Sequence, residues 1–138
     1  VFNHNVETVE RLYPSVRPRA DYRRSLGILR TASRHDGEAV VKSGMMVGLG
    51  EREEEVLRTL ADLHEAGCSV VTIGQYLQPG SDQVPVAAFV EPSCLQSYAR
   101  KGREMGIAEV VAGPFVRSSY RAREVTARVS GVARQDRK

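Results

Sequence analysis

Two hydrophobic periods take turns along this chain, and the switches between them predict strands alternating with helices. Ala39 to Val47 and Ser69 to Gly74 are short, nearly unbroken apolar runs, the pattern of strands buried on both faces. Val1 to Asn5 reads as the end of a strand, followed by a short helical stretch to about Leu12. Pro14 and Pro18 then hold a connection open, since proline does not sit in a helix interior. Asp21 is placed to cap a helix in which Tyr22, Leu26 and Leu29 recur at intervals of four and three. Glu51 to Ala66 predicts another helix: acids crowd its first turn, Val56, Leu60 and Leu63 share one face, and Gly67 ends it. An irregular stretch from Gln78 to Glu91 is punctuated by Pro79, Gly80 and Pro85. Pro92 opens a helix to about Met105, with Leu95, Tyr98 and Ala99 at helical spacing, and Gly106 closes it. Ala108 to Ala112 is a last short strand before Gly113-Pro114.

Strands alternating with helices of these lengths argue for βαβ units and a parallel sheet. Three or four such strands are too few to close a barrel of six or eight, and an open sheet leaves Val1 to Asn5 as an edge. The expected α/β fold is therefore the C-terminal half of a partial parallel barrel over residues 1–112. A loop at 113–120 and a basic, flexible extension at 121–138 follow.

Composition narrows this little. Of 138 residues, 41% are hydrophobic and 27% charged, as in ordinary globular proteins. No apolar run approaches the roughly 20 residues of a membrane span, and no signal-peptide pattern is visible. The chain opens without Met inside its first strand end, so it is expected to be a piece of something longer. Cys68 and Cys94 lie too far apart for a thiol-pair or zinc motif and read as small packed hydrophobes of a cytoplasmic protein. The net charge of +3 comes from the tail, where six Arg or Lys face only Glu124 and Asp136. That tail has no interleaved aromatics and no recognition motif, which argues against a nucleic-acid binder.

The candidate chemistry lies in four strand ends, where open sheets and barrels of this class place ligands. In Asn3-His4-Asn5-Val6-Glu7, alternation sends Asn3 and Asn5 to one side and His4 to the other, with Glu7 near the same opening as the amides. A carboxylate beside two amides suits a ligand offering hydroxyls and an amide; on the residues alone, a turn-stabilising role for the Asn residues, with Glu7 starting a helix, is the simpler reading and stays open. In Lys42-Ser43-Gly44-Met45-Met46-Val47-Gly48-Leu49-Gly50-Glu51, glycines permit close approach to backbone, and the following helix N-terminus adds a partial positive end. Lys42 is either a partner for a carboxylate or a solvated strand end. Thr72-Ile73-Gly74-Gln75-Tyr76-Leu77-Gln78-Pro79 is the third segment. The fourth, Gly113-Pro114-Phe115-Val116-Arg117-Ser118-Ser119-Tyr120, sets a hydroxyl pair between a guanidinium and a phenol, which suits an anion or a metal centre, or is simply a loop.

In this order, together with Arg11-Leu12-Tyr13-Pro14 and Ala20-Asp21-Tyr22, these motifs resemble the C-terminal part of lipoyl synthase, a radical S-adenosylmethionine (SAM) enzyme, over nearly all of Val1 to Tyr120. The resemblance implies a partial (β/α)6 TIM-like barrel of the radical SAM type. It implies SAM and two [4Fe-4S] clusters, one cleaving SAM to a 5′-deoxyadenosyl radical and the other giving up sulfur. The implied reaction inserts sulfur at C6 and C8 of an octanoyl group on a lipoyl carrier domain or glycine-cleavage H protein. It also implies roles: Glu7 at the SAM ribose with Asn5 also on the SAM side, and Asn3 or Asn5 near the substrate. Lys42, Gly44, Met46 and Gly48 fall on the SAM side, as does the backbone around Gln75, Tyr76 and Leu77. Ser119 would be a ligand of the auxiliary cluster, and Arg117 would sit beside it. The Asn-His-Asn segment is also similar to one in biotin synthase.

Three departures qualify this. Neither cysteine motif of the family is present, Gly80-Ser81-Asp82 stands where a more basic stretch is usual, and Arg121 replaces a residue commonly His. Without three cysteine thiolates no radical-generating cluster is held. The chain alone is therefore expected to be inactive, needing a cysteine-bearing N-terminal half. The alternative is a non-catalytic remnant or subunit that binds the carrier or a partner without iron. The expected compartment is the cytoplasm, or a mitochondrion or plastid in a eukaryote.

Overall fold

β-branched and apolar residues concentrated in the central runs build a four-stranded parallel sheet in the order β1-β2-β3-β4. The computed structural model describes residues 1–35 and 37–117. β1 (Phe2–Asn3) forms one edge. It is followed by a 3-10 turn (Glu10–Leu12), the one-turn helix α1 (Tyr13–Val16) and α2 (Tyr22–His35). β2 (Val41–Val47), α3 (Glu53–Glu65), β3 (Val70–Gln75), α4 (Pro92–Glu104) and β4 (Glu109–Gly113) complete the order.

The predicted boundaries hold to within a few residues. Asp21 caps α2, its Oδ1 accepting the Arg24 N–H at 2.9 Å. Gly67 and Gly106 follow α3 and α4 at positive φ. One expectation is corrected: Pro14 does not hold the chain open but lies in the first turn of α1, where its missing N–H is one that no helical bond uses.

Register assigns the two faces. Val41, Met45 and Val47 of β2, Val71 and Ile73 of β3 and Val110 of β4 pack with Leu26, Leu29, Val56, Leu60, Leu63 and Leu95 of the helices in one core. Full burial of each such leucine is worth about 1.5–3 kcal/mol. The alternate positions face the other way. Low on that face, Val40, Val70 and the partly buried Val111 form a small apolar cluster. Higher up, the rungs pair Gly44 with Thr72 and Val111, then Met46 with Gly74 and Gly113. On β3 and β4 the side chains thus shrink toward the carboxyl ends, from Thr72 and Val111 to Gly74 and Gly113, and a hollow opens there.

Candidate functional site

The chain does not leave β2 when β1 ends. Glu7 N–H donates to the Gly44 carbonyl at 3.0 Å, and Met46 N–H donates to the Glu7 carbonyl at 2.8 Å. Between them, Glu7 takes φ = +69°, and Thr8 N–H donates to the Val6 carbonyl at 2.8 Å, closing a three-residue γ-turn. A non-glycine residue held there costs about 1–3 kcal/mol and persists only where its surroundings over-determine it. Helix formation begins at Glu10 rather than at Glu7. Tyr13 Oη donates to the Val6 carbonyl. Arg17 Nη1 donates to the Asn5 carbonyl at 3.3 Å and lies 3.2 Å from Tyr13 Oη. His4 points to the helical side, as alternation predicts, its Nε2 lying 3.1 Å from Ser25 Oγ.

On the opposite face a cavity of about 210 Å³ is lined by Asn5, Glu7, Gly44, Met45, Met46, Thr72, Gly74, Val116 and Arg117. Asn5 Oδ1 is buried without a hydrogen-bond partner, which is costly in a protein interior. The glycines are required by close approach. A Cβ on Gly44 would lie 2.6 Å from Thr72 Oγ1 and 3.1 Å from Asn5 Oδ1. One on Gly74 would lie 2.1 Å from the Val116 carbonyl and 3.1 Å from Arg117 Nη1. An amide acceptor, a carboxylate, a guanidinium and the thioether of Met46 thus surround a recess large enough for part of a polar ligand.

Other candidate residues have different tasks. Gly48 N–H donates to both oxygens of the Glu51 carboxylate, at 2.9 and 3.1 Å, and Leu49 N–H to one of them at 3.0 Å. The amides that the glycine turn was expected to offer a ligand are therefore taken by the chain's own acid. Likewise Glu55 accepts the Arg52 N–H at the start of α3 at 2.9 Å. Gln75 Nε2 donates to the carbonyls of Ala88 and Tyr76 at 2.9 and 3.0 Å, and its Oε1 accepts the Val90 N–H at 2.8 Å. Tyr76 Oη donates to the Val84 carbonyl at 2.7 Å. Both side chains secure the irregular stretch before α4 and do not line the cavity, and Leu77 is half-exposed.

Asn3 pairs in register with Lys42, two positions below Gly44, and is exposed. Lys42 is buried, and that burial lowers the pKa of its ammonium group. The cavity therefore gathers Asn5, Glu7, Gly44, Met46 and Arg117, while Asn3, Lys42, Gly48, Gln75, Tyr76 and Leu77 lie outside its lining. Sequence reading did not pick out Thr72 and Val116 as lining. Counting two residues at a time from Gly44 across the register would have found Thr72; Val116 has no such signal.

Ser119 and the basic tail lie outside the described residues. Among the described residues, no three His, Cys, Asp or Glu side chains converge to hold a metal ion. Cys68 is buried in the core, and burial pushes its thiol up to about 12. Cys94 packs partly buried against the same core.

No family model matches the chain. It is 54% identical over 125 residues to a lipoyl synthase of Rubrobacter xylanophilus, covering 91% of this chain and 39% of that protein. A lipoyl synthase of Protochlamydia amoebophila is 49% identical over 132 residues, covering 94% and 41%. One from Caldicellulosiruptor saccharolyticus is 48% identical over 126 residues, covering 91% and 44%. The chain spans about two fifths of the length of the curated relatives it matches. Over that span, with the motifs of its strand ends gathered on one parallel sheet, the chain belongs to the lipoyl synthase family.

Proposed function

We propose that this chain is the C-terminal part of a radical SAM lipoyl synthase and forms the SAM-facing wall of its site, within a half-barrel completed by the rest of the enzyme. The convergence of Asn5, Glu7, Gly44 and Met46 on one cavity at the strand ends carries this reading. The unpartnered Asn5 Oδ1 and the glycine floor fit an adenosyl group, which brings hydrogen-bond donors and a flat ring. When bound with its cluster, SAM supplies the hydrogen-abstracting chemistry that precedes sulfur insertion into a carrier-bound octanoyl chain.

Every other contribution is this chain's own. Glu7 accepts from vicinal ribose hydroxyls, and Asn5 accepts through Oδ1 while its amide N–H groups donate. Gly44 and Met46 pack against the ring and exclude water from it. Gly74 lets the segment at Val116 and Arg117 close over the recess. Gly48 and Gln75 act at one remove, by holding the loops that frame the ligand. Asn3 and Lys42 lie lower on the same face, with Asn3 on the substrate side. Ser119 is the ligand this chain offers to an auxiliary cluster, with Arg117 beside it.

The described residues do not themselves fit an iron–sulfur cluster, so sulfur insertion requires cysteines from elsewhere. The test is to reconstitute the chain with and without the cysteine-bearing part of a lipoyl synthase, measuring iron, sulfide, SAM binding by calorimetry and conversion of an octanoylated carrier domain. SAM binding by the chain, with iron and turnover only in the combined protein, is the expected outcome. Carrier binding without iron in either sample would instead make the chain a non-catalytic binding subunit.

A further inference from the structure

We propose that Tyr13 and Arg17 are positioning residues that hold Glu7 in its left-handed γ-turn and so present Glu7 and Asn5 to the cavity. The ligand half of this inference rests on the SAM reading; the conformational half does not.

The Val6 carbonyl is the pivot. It receives the Thr8 N–H that closes the turn, the Tyr13 hydroxyl, and a longer approach from Arg17 Nη1 at 3.5 Å. Arg17 Nη1 also donates to the Asn5 carbonyl at 3.3 Å, so two successive peptide planes are gripped from the helical side. The peptide that follows Val6 sets φ of Glu7. Fixing its carbonyl therefore fixes the direction in which the Glu7 side chain leaves the backbone.

The grip is itself rigid. Arg17 stacks over the Tyr13 ring at 5.5 Å, and Tyr13 meets Tyr22 edge to face at 5.6 Å between centroids. Tyr13 is buried, whereas Asn5 and Glu7 are only partly buried. Two bonds to β2, at Gly44 and Met46, hold the other side of the Glu7 peptide. Held from both sides, a conformation that glutamate ordinarily avoids becomes the one it must adopt. This is how strain persists at a binding site: the surroundings select it because it aims a side chain.

The test is a double-mutant cycle in the full chain, Tyr13→Phe with Glu7→Gly, read by denaturant unfolding. With glutamate at position 7, loss of the grip lets the turn relax and release its strain, which offsets part of the lost bond; glycine accepts positive φ without strain and has none to release. Tyr13→Phe should therefore lower the folding equilibrium constant by about tenfold in the Glu7→Gly background, and by a several-fold smaller factor with glutamate in place. Penalties that multiply to within about twofold would overturn the proposal. A second readout is the three-bond backbone coupling of residue 7, which reports φ. It should shift in Tyr13→Phe and in Arg17→Gln at temperatures where both remain folded, and an unchanged value in both overturns the proposal even if stability falls. Calorimetry with SAM adds the ligand half: about tenfold weaker binding by Tyr13→Phe is expected. Failure of the parent chain to bind SAM would count against the SAM reading, and the cycle would still decide whether the grip exists.

Discussion

Arg11 and Glu55 meet fork to fork across 44 residues of sequence: Arg11 Nε lies 2.9 Å from Glu55 Oε2 and Nη2 lies 2.9 Å from Oε1. Nη2 also donates to the Gly50 carbonyl at 2.9 Å, so one guanidinium ties the segment after Glu7 to the glycine turn after β2. The first of these follows the cavity residues Asn5 and Glu7, and the second follows Met46.

Arg11, aided by the Arg52 N–H, holds the Glu55 carboxyl at about 2, below its ordinary value of 4.5. A carboxyl depressed on folding stabilises the native state fully above its unfolded value and loses that contribution as pH falls through the folded one. Unfolding of the parent chain should therefore show extra acid sensitivity between about pH 4.5 and 2. Glu55→Gln should remove that part of the acid slope while lowering stability near neutral pH. Identical slopes in urea melts across this range would refute it.

Gly44→Ala places a methyl 2.6 Å from Thr72 Oγ1, on the cavity floor. Overpacking of this kind costs about 1–3 kcal/mol, and SAM affinity should fall at least about tenfold (roughly 1.4 kcal/mol). Thr72→Ala in the same chain removes the obstructing oxygen and should restore part of both losses. Calorimetry on the single and double variants decides it.

Gly74→Ala meets backbone rather than a flexible side chain, 2.1 Å from the Val116 carbonyl. The segment carrying Arg117 must move away. Limited proteolysis should then cut near Val116 faster than in the parent, while a melt shows the core of α3 and α4 retained. Equal cleavage rates would show that the close approach is dispensable.

Gln75→Leu keeps the bulk but removes two hydrogen bonds to the stretch before α4, at Ala88 and Val90, and one to the Tyr76 carbonyl. Leaving partly buried carbonyl and N–H groups without these partners costs up to about 1–3 kcal/mol. Hydrogen exchange at the Val90 amide should accelerate, with exchange in β2 and β3 much less affected. A uniform change across the sheet would mean that Gln75 supports global stability only.

Cys68, raised to about 12 by burial, should resist alkylation at pH 8 in the native chain, whereas the half-buried Cys94 reacts faster. Mass spectrometry after brief labelling distinguishes them, and the difference should vanish in denaturant.

Local rules made much of this protein legible from its residues. Asp21, Gly67, Pro92 and Gly106 mark helix ends through capping, left-handed backbone or a missing N–H, all decided within one turn of chain. Leucines at intervals of three and four, and unbroken valine-rich runs, state which faces are buried. Even the sides taken by His4 and Asn5 follow from the twofold period of a strand.

Side-chain destinations were decided by tertiary contact. Nothing near Glu7 in sequence announces a γ-turn, because Tyr13 and Arg17 reach back to hold it from beyond a 3-10 turn. Gly48 looked like a ligand's approach, yet the nearby Glu51 folds back onto its amide. The Gln75 side chain has no destination legible in sequence, yet its amide closes on Ala88 and Val90. Asn3 and Asn5 share a face, but only Asn5 reaches the level where Thr72 gives way to Gly74 and the sheet hollows. Periodicity and capping depend on neighbours along the chain and can be read there. The partner a polar group finds depends on which distant segments the packed sheet brings within about 3 Å, and that distance exists only once the chain has folded.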